Sequence, residues 1–171
     1  MTLHDLRKVS YDFPVSSVYD AIIGLLKQHG VAYEEFDHEP ILNYDDAEKQ
    51  KQHFGWTGTE SKNVFMKGGD GKYYVFVTFQ GQRVDFKKLK EVLGVKLSIA
   101  SEDDVRNVVQ CVPGCVAPFG FSSDITILLD PTLFTHTDYL FSPGVTTKTI
   151  RTNVQDLKKV FDGLPNPVIK M

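Results

Sequence analysis

The stretch KNVFMKGGDGKYYVFVTF, residues 62–79, predicts a β-hairpin. Two runs rich in β-branched and aromatic residues flank GGDG at 68–71, which is a turn sequence rather than a nucleotide-binding loop. A short strand is predicted before the hairpin in VAYEEFDH, 31–38, and another after it in DITILLD, 124–130. The hairpin is therefore expected to form the centre of a larger sheet.

Helices are predicted between and around these strands. The segment FPVSSVYDAIIGLLKQHG, 13–30, has apolar residues at helical spacing and ends at a glycine suited to a C-cap. Four more helices are predicted behind N-cap residues: Asn43, Asp85, Ser101 and Asn153. The order lacks a regular strand–helix–strand rhythm, which favours an α+β fold. We expect one domain over 1–171, with its core at about 15–165 and a mixed, mostly antiparallel sheet or partial barrel flanked by helices.

Composition narrows the class of protein. Of 171 residues, 42% are hydrophobic and 24% charged, as in ordinary globular domains. No apolar run approaches the roughly 20 residues that cross a bilayer, and the N-terminus lacks the apolar core of a secretory signal. Cys111 and Cys115 are the only cysteines, which argues against a disulfide framework. We expect a cytoplasmic protein without membrane association.

Charge is unevenly distributed along the chain. The net charge is −3, yet residues 61–100 hold eight basic and three acidic residues, so this segment carries +5 and the remainder −8. Such asymmetry can orient a polyanion toward one face of the protein. The alternative is a solvated, lysine-rich surface without a partner.

Familiar catalytic motifs are missing from the sequence. The five histidines show no metal-ligand spacing, and HExxH, CxxC, GxSxG and GxxxxGK[ST] motifs do not occur. We therefore expect no metal and no cofactor. The two cysteines are interpreted as small apolar residues, and a cysteine-dependent hydrolase using Cys115 is the alternative.

The segment VPGCVAPFGF, 112–121, combines two prolines and two glycines with apolar residues. Pro113-Gly114 is a turn dipeptide, and Pro118 restricts the chain where it leaves the turn. The amides of Gly114, Cys115, Val116 and Ala117 are therefore candidates for binding a carbonyl or oxyanion without an ionisable side chain. The alternative is a plain buried turn between two strands.

Six segments resemble the YbaK/ProX aminoacyl-tRNA editing family in order and spacing. The closest likeness is to freestanding Ala-tRNA(Pro) deacylases and the editing domain of prolyl-tRNA synthetase, over about residues 20–162. The segments are TESKNVFMK (59–67), YYVFV (73–77), VDFKKLKEVLG (84–94), LSIASEDDV (97–105), VPGCVAPFGF (112–121) and ILLD (127–130).

The resemblance implies hydrolysis of the ester between a wrong amino acid and the terminal adenosine of a tRNA. Lys62 matches the family lysine that anchors the substrate, and Gly114 to Pro118 match the loop that presents amides to the ester carbonyl. A ribose hydroxyl of the substrate is thought to assist the attacking water. A synthetase pocket sized for proline cannot strongly reject alanine, so a second, narrow sieve repairs the error.

The resemblance also implies partners. We expect the acceptor end of tRNA, with tRNA(Pro) first, and prolyl-tRNA synthetase or a larger synthetase chain or complex. Salt-sensitive contacts of the +5 segment with acceptor-stem phosphates are expected as well. Whether the chain works alone, and in what oligomeric state, stays open. A catalytically silent relative that binds tRNA or a synthetase is the rival from another class.

Further side chains are candidates for substrate binding, each beside a structural alternative. Asn43 is also the expected helix cap, Asn63 and Asp124 are also turn residues, and the aromatic residues are also core residues. Trp56 is a candidate for stacking on the tRNA end, with a packed loop residue as the alternative. The predicted substrate-binding set is Asn43, Asn63, Phe119, Gly120, Ser123, Asp124, Ser142 and Thr146.

Three of these residues depart from the family pattern. Where relatives commonly read F-H-P-L-x-N-T, residues 141–147 read FSPGVTT, so Ser142 replaces the histidine and Thr146 the asparagine. Ser123 replaces the asparagine of the P-F-G-x-x-N-D motif. These replacements leave Lys62 and the loop in place, and they open the amino-acid preference to serine or another small residue.

Overall fold

The computed structural model describes residues 18–171, and it shows an α+β domain built on one mixed sheet. The predicted start of the first helix, including Val15, lies outside these residues. The strands are β1 (Tyr33–Asp37), β2 (Thr59–Gly68), β3 (Tyr73–Phe79), β4 (Leu97–Ile99), β5 (Thr126–Leu129), β6 (Asp138–Phe141), β7 (Lys148–Asn153) and β8 (Val168–Lys170). The α-helices are α1 (Val18–Gln28), α2 (Tyr44–Phe54), α3 (Phe86–Leu93), α4 (Glu102–Val108) and α5 (Val154–Gly163), and Pro131–Thr135 is a 3₁₀ helix.

The sheet has the strand order β1-β7-β6-β2-β3-β5-β8, with β4 paired to β2 outside this path. Pairing is antiparallel for β1–β7, β6–β7, β2–β3 and β2–β4, and parallel for β2–β6, β3–β5 and β5–β8. The path runs from β1 to β8 without joining them, so the barrel is not closed. The expected mixed, mostly antiparallel sheet is confirmed.

The two faces of the sheet belong to two apolar clusters. On β3 and β5, Val75, Val77 and Ile127 belong to the larger cluster, which also contains residues of α1, α4 and α5. Their neighbours Phe76 and Leu128 belong to the smaller cluster with Leu89 of α3. Because successive side chains of a strand point to opposite faces, α3 covers the face opposite the main core.

The predicted helix ends are confirmed in atomic detail. The side chains of Asn43, Asp85 and Ser101 accept hydrogen bonds from the amides three residues on, and Asn153 accepts from the amide of Gln155. Gly55 ends α2 with a φ of 65°, a left-handed conformation that glycine adopts without strain.

Strands β4, β6, β7 and β8 were not predicted from the sequence. Strand β7 contains Lys, Thr, Arg and Asn residues and lacks an apolar run, but it lies between β1 and β6. Strand β8 lies in the segment DGLPNPVIKM and pairs with β5. Neighbouring strands rather than local propensity therefore establish these elements.

Among residues 18–171, none of the helices combines the length and apolarity that a bilayer-crossing segment requires.

Candidate functional site

A cavity of about 460 Å³ lies where β2 lacks a strand neighbour along one edge. Strand β6 pairs with Thr59 and Glu60 on that edge, and β4 pairs only with Met66 to Gly68. The residues between these two pairings, Ser61 to Val64, line the cavity. The other walls come from the segment before α2 and its first turn, from residues 56 and 60, from the loop 112–116, and from residues 140–149. They are His38, Ile41, Leu42, Asn43, Tyr44, Ala47, Trp56, Glu60, Val112, Pro113, Gly114, Cys115, Val116, Leu140, Phe141, Ser142, Val145, Thr146, Lys148 and Thr149.

The loop enters the cavity through a tight turn. The amide of Cys115 donates to the carbonyl of Val112 at 2.8 Å, and Gly114 has a φ of 87°. Proline followed by a residue of positive φ is the pattern of a type II turn, with Pro113 and Gly114 at its central positions. The amide of Val112 donates to the carbonyl of Gly144 at 2.9 Å, which ties the turn to the segment after β6.

The four candidate amides of the loop are not equivalent. The Cys115 amide closes the turn, and Ala117 is fully buried, where its backbone offsets a part of the burial-raised pKa of the Cys111 thiol. Within residues 18–171, the amides of Gly114 and Val116 have no hydrogen-bond acceptor. Of the four predicted donors, Gly114 and Val116 therefore remain as the candidates, because Cys115 is used in the turn and Ala117 is buried in the core.

Asn63 holds the loop against β2. Its side-chain amide donates to the carbonyl of Val116 at 3.0 Å. The Tyr139 hydroxyl lies 3.3 Å from the Asn63 side-chain oxygen and donates to the carbonyl of Thr78 at 2.8 Å. Because Tyr139 is fully buried, this connection fixes the peptide that follows Val116.

Lys62 lines the same cavity from β2. Its ammonium donates to the carbonyl of Gln82 at 2.6 Å, and it makes no ion pair with an acidic residue in the described part of the chain. The neighbouring loop thus positions a cation whose charge is not neutralised by a carboxylate.

The residues that replace the family histidine and asparagine both line the cavity. The Ser142 hydroxyl donates to the carbonyl of Val145 at 2.8 Å and accepts from the amide of Gly144. Thr146 is only 4% exposed, and its hydroxyl has no partner among the described residues. The indole nitrogen of Trp56, another cavity residue, is likewise buried without a partner in residues 18–171. Buried polar atoms usually have partners, so these two mark places where water or a ligand can bond.

Cys115 lies in the cavity wall as a buried thiol. Burial raises the pKa of the Cys115 thiol to about 11, and contact with the Ser142 hydroxyl offsets a part of that shift. The thiolate is the nucleophilic form of cysteine, and little of it exists near pH 7 at this pKa. The geometry therefore disfavours Cys115 as a nucleophile.

His38 and Glu60 are among the ionisable side chains of the cavity that the sequence analysis missed. Both ring nitrogens of His38 are hydrogen-bonded, at 2.7 Å to the Glu39 carbonyl and at 2.9 Å to the Thr149 hydroxyl, and burial lowers the pKa of His38. Glu60 pairs with Lys51 at 3.8 Å. No local motif marks either residue, because the pairing of β1 with β7 and of β2 with β6 brings them to the cavity.

The second half of the loop lies away from the cavity. Ala117 and Phe119 are fully buried in the main core, and Pro118 is buried beside them. Gly120 has a φ of 99°, and an added Cβ would lie 3.0 Å from Ile22 of α1. Ser123 and Asp124 are exposed, and Asp124 accepts from the Ser122 hydroxyl. None of these six predicted residues lines the cavity, so their assigned contacts with substrate are not carried further.

Asn43 is both a helix cap and a cavity residue, the two alternatives considered for it. It caps α2 by accepting from the Asp46 amide at 2.8 Å, and it also lines the cavity. The structure thus brings together Lys62, Asn63, Gly114, Cys115 and Val116 with Asn43, Ser142 and Thr146.

Comparison with protein families matches residues 38–160 to the family described as aminoacyl-tRNA editing domain. Two curated proteins are similar over most of their length. The prolyl-tRNA editing protein ProX of Acetoanaerobium sticklandii is 27% identical, covering 82% of this chain and 88% of that protein. The multifunctional Ser/Thr-tRNA deacylase ProXp-y of Escherichia coli K12 is 24% identical, covering 85% and 89%.

Solved structures share the fold. A candidate trans-editing enzyme for prolyl-tRNA synthetase superposes with a TM-score of 0.71 at 20% identity, over 92% of this chain and 98% of that one. The hypothetical protein APE2540 gives a TM-score of 0.73 at 16% identity, over 88% and 97%.

Proposed function

The chain belongs to the aminoacyl-tRNA editing domain family, and from this premise we propose that it hydrolyses the ester bond of mischarged tRNA. The observation that carries the proposal is a pair of amides, Gly114 and Val116, that have no acceptor within residues 18–171, in a cavity that also holds Lys62, which forms no ion pair with those residues. Both curated relatives are named as tRNA-editing or deacylating proteins.

In the proposed reaction the two free amides polarise the ester carbonyl. Water adds to the carbonyl carbon, the bond from that carbon to the ribose oxygen breaks, and a proton from the water goes to that departing oxygen. Preorganised donors lower the barrier because they are already directed at the developing negative charge, and each is worth about 3 kcal/mol. Lys62 holds the terminal nucleotide by its charge.

We infer that the base assisting the water comes from the substrate, through a ribose hydroxyl. Three ionisable cavity residues are poorly suited to that task. The Cys115 thiol stays protonated near neutral pH, both nitrogens of His38 are engaged, and Glu60 is ion-paired. Substrate-assisted hydrolysis needs none of them.

The surface charge supports a tRNA partner. None of the eight basic residues in 61–100 forms an ion pair with another residue of the described chain. Elsewhere in residues 18–171, Lys148 and Arg151 each pair with acidic residues on β1. Unpaired cations release counterions when they meet phosphates, so binding should weaken steeply with salt.

For the amino acid removed, we propose alanine on tRNA(Pro) first, and serine as the alternative. The surface of the cavity is more apolar than polar, as a sieve for a small side chain requires. The unpartnered Thr146 hydroxyl favours serine, because a hydroxylated substrate can supply the missing hydrogen bond.

The test is a deacylation panel. tRNAs charged with alanine, serine, threonine, cysteine and proline are each incubated with the protein, and loss of the ester is compared with the protein-free rate. We expect turnover for alanine or serine and none for proline on tRNA(Pro). Background rates for every small amino acid would contradict hydrolysis and favour the binding module.

A further inference from the structure

Tyr44 is an exposed aromatic side chain at the edge of the cavity. It lines the cavity and is 61% exposed. The other Phe, Tyr and Trp residues lining the cavity in residues 18–171 are Trp56 and Phe141, which are 7% and 1% exposed. Trp56, which the sequence suggested for stacking, is therefore enclosed by protein, and of these three cavity residues Tyr44 is the one that is open to solvent.

The backbone beneath Tyr44 is held in place. Asn43 accepts from the Asp46 amide at 2.8 Å, and the Asp46 carboxylate accepts from the Leu42 amide at 3.1 Å. These two bonds enclose Tyr44, the first residue of α2. Its ring makes no aromatic contact and its hydroxyl no hydrogen bond within the described residues. The ring is thus a platform on a fixed backbone, with Leu42, which is 43% exposed, beside it.

We propose that Tyr44 stacks on the unpaired terminal base of the tRNA acceptor end. The inference rests on the proposed function, since it places the ester in the cavity and the base of the same nucleotide outside it. That nucleotide joins the ester through its ribose, so its base must lie within a few ångströms of the cavity edge. A nucleobase has an apolar face that binds an exposed aromatic ring whatever the sequence.

The test uses an acceptor-stem minihelix that is not aminoacylated and that carries 2-aminopurine in place of the terminal adenine. Its fluorescence reports stacking without any hydrolysis. Wild-type protein should change the emission saturably, and Tyr44→Ala should weaken apparent binding roughly 5- to 150-fold, as expected for the loss of one base stacked on an aromatic side chain. Tyr44→Phe, which keeps the ring, should bind within about twofold of wild type.

A matched control is Ile99→Ala, which also removes an exposed apolar side chain, 69% exposed, on β4 away from the cavity. Equal binding by Tyr44→Ala and wild type would overturn the inference. An equal loss in Ile99→Ala and Tyr44→Ala would overturn it too.

The same variants separate this inference from the proposed function. With a mischarged minihelix lacking only its terminal base, Tyr44→Ala and wild type should deacylate at similar rates. A larger defect of Tyr44→Ala on that substrate would contradict stacking. Failure of wild type to deacylate any mischarged tRNA would overturn hydrolysis alone, because the fluorescence measurement still decides whether Tyr44 stacks.

Discussion

The two halves of the loop 113–120 look alike in sequence, and they have different surroundings. Each half contains one proline and one glycine, and both glycines have positive φ, 87° at Gly114 and 99° at Gly120. A Cβ at Gly114 would meet nothing within 4 Å, whereas a Cβ at Gly120 would lie 3.0 Å from Ile22. The first half borders the cavity, and the second packs on α1 in the core. Gly114 thus leaves space open beside the cavity, whereas Gly120 allows the loop to pack closely against α1.

The largest effect is expected for Gly114→Val. A branched side chain at this position enters the open space of the cavity, and the positive φ disfavours any residue with a Cβ. We expect kcat/KM for deacylation to fall about 100- to 1000-fold, as when an oxyanion donor is lost. Steady-state kinetics on the mischarged tRNA found in the panel measures this, and wild-type activity in the variant would refute the amide cradle.

Lys62→Ala tests the cation that lines the cavity together with the first half of the loop. We expect at least about a tenfold loss of kcat/KM with an unchanged thermal midpoint, because Lys62 contributes a charge to the cavity and one bond to a loop carbonyl. Lys67→Ala is the matched control, since Lys67 is exposed on the same strand outside the cavity. Equal activity of the two variants would remove Lys62 from the site.

Gly120→Ala and Gly114→Ala compare the halves directly. Both changes introduce backbone strain of about 1–3 kcal/mol, but only Gly120→Ala adds a tight contact with α1. We expect Gly120→Ala to lower the free energy of unfolding more in urea denaturation while activity per folded molecule stays near wild type. Gly114→Ala should lower the free energy of unfolding less than Gly120→Ala does, and it should lower the activity per folded molecule more. Identical profiles for the two variants would mean that the loop acts as one unit.

The smallest effect is expected for Cys115→Ala. The raised thiol pKa, about 11, leaves Cys115 protonated at neutral pH, so the variant should retain activity within about threefold. The pH–rate profile offers a second measurement. A thiolate nucleophile would make the rate climb with pH toward 11 in wild type and not in the variant, and that difference would revive the cysteine mechanism.

Much of the local structure follows from short-range signals. The hairpin at 59–79, the N-caps at Asn43, Asp85, Ser101 and Asn153, and the left-handed Gly55 involve residues within a few positions of one another. Their energies come from turn geometry and capping hydrogen bonds, which a sequence displays directly. Strand β7 has no such signal, because its stability comes from neighbours more than 100 positions away in the case of β1.

In the candidate site, too, some residues could be predicted from the sequence and others could not. Lys62, Asn63 and the loop were identified from motifs, and the structure brings them to one cavity. Phe119, Gly120, Ser123 and Asp124 lie close to Val116 in sequence, but Phe119 and Gly120 pack in the core, and Ser123 and Asp124 are exposed outside the cavity. Proximity in sequence was therefore a poor guide beyond that residue.

The sequence by itself determined the α+β class, the hairpin, the helix ends and the Pro113-Gly114 turn, because each depends on residues in local contact. Only the tertiary structure decided which loop amides stay free among residues 18–171, that Tyr44 rather than Trp56 is open to solvent, and that the Thr146 hydroxyl has no partner in that part of the chain. Those properties depend on which distant segments surround an atom, since a hydrogen bond or a buried ring needs a partner that the local sequence does not supply.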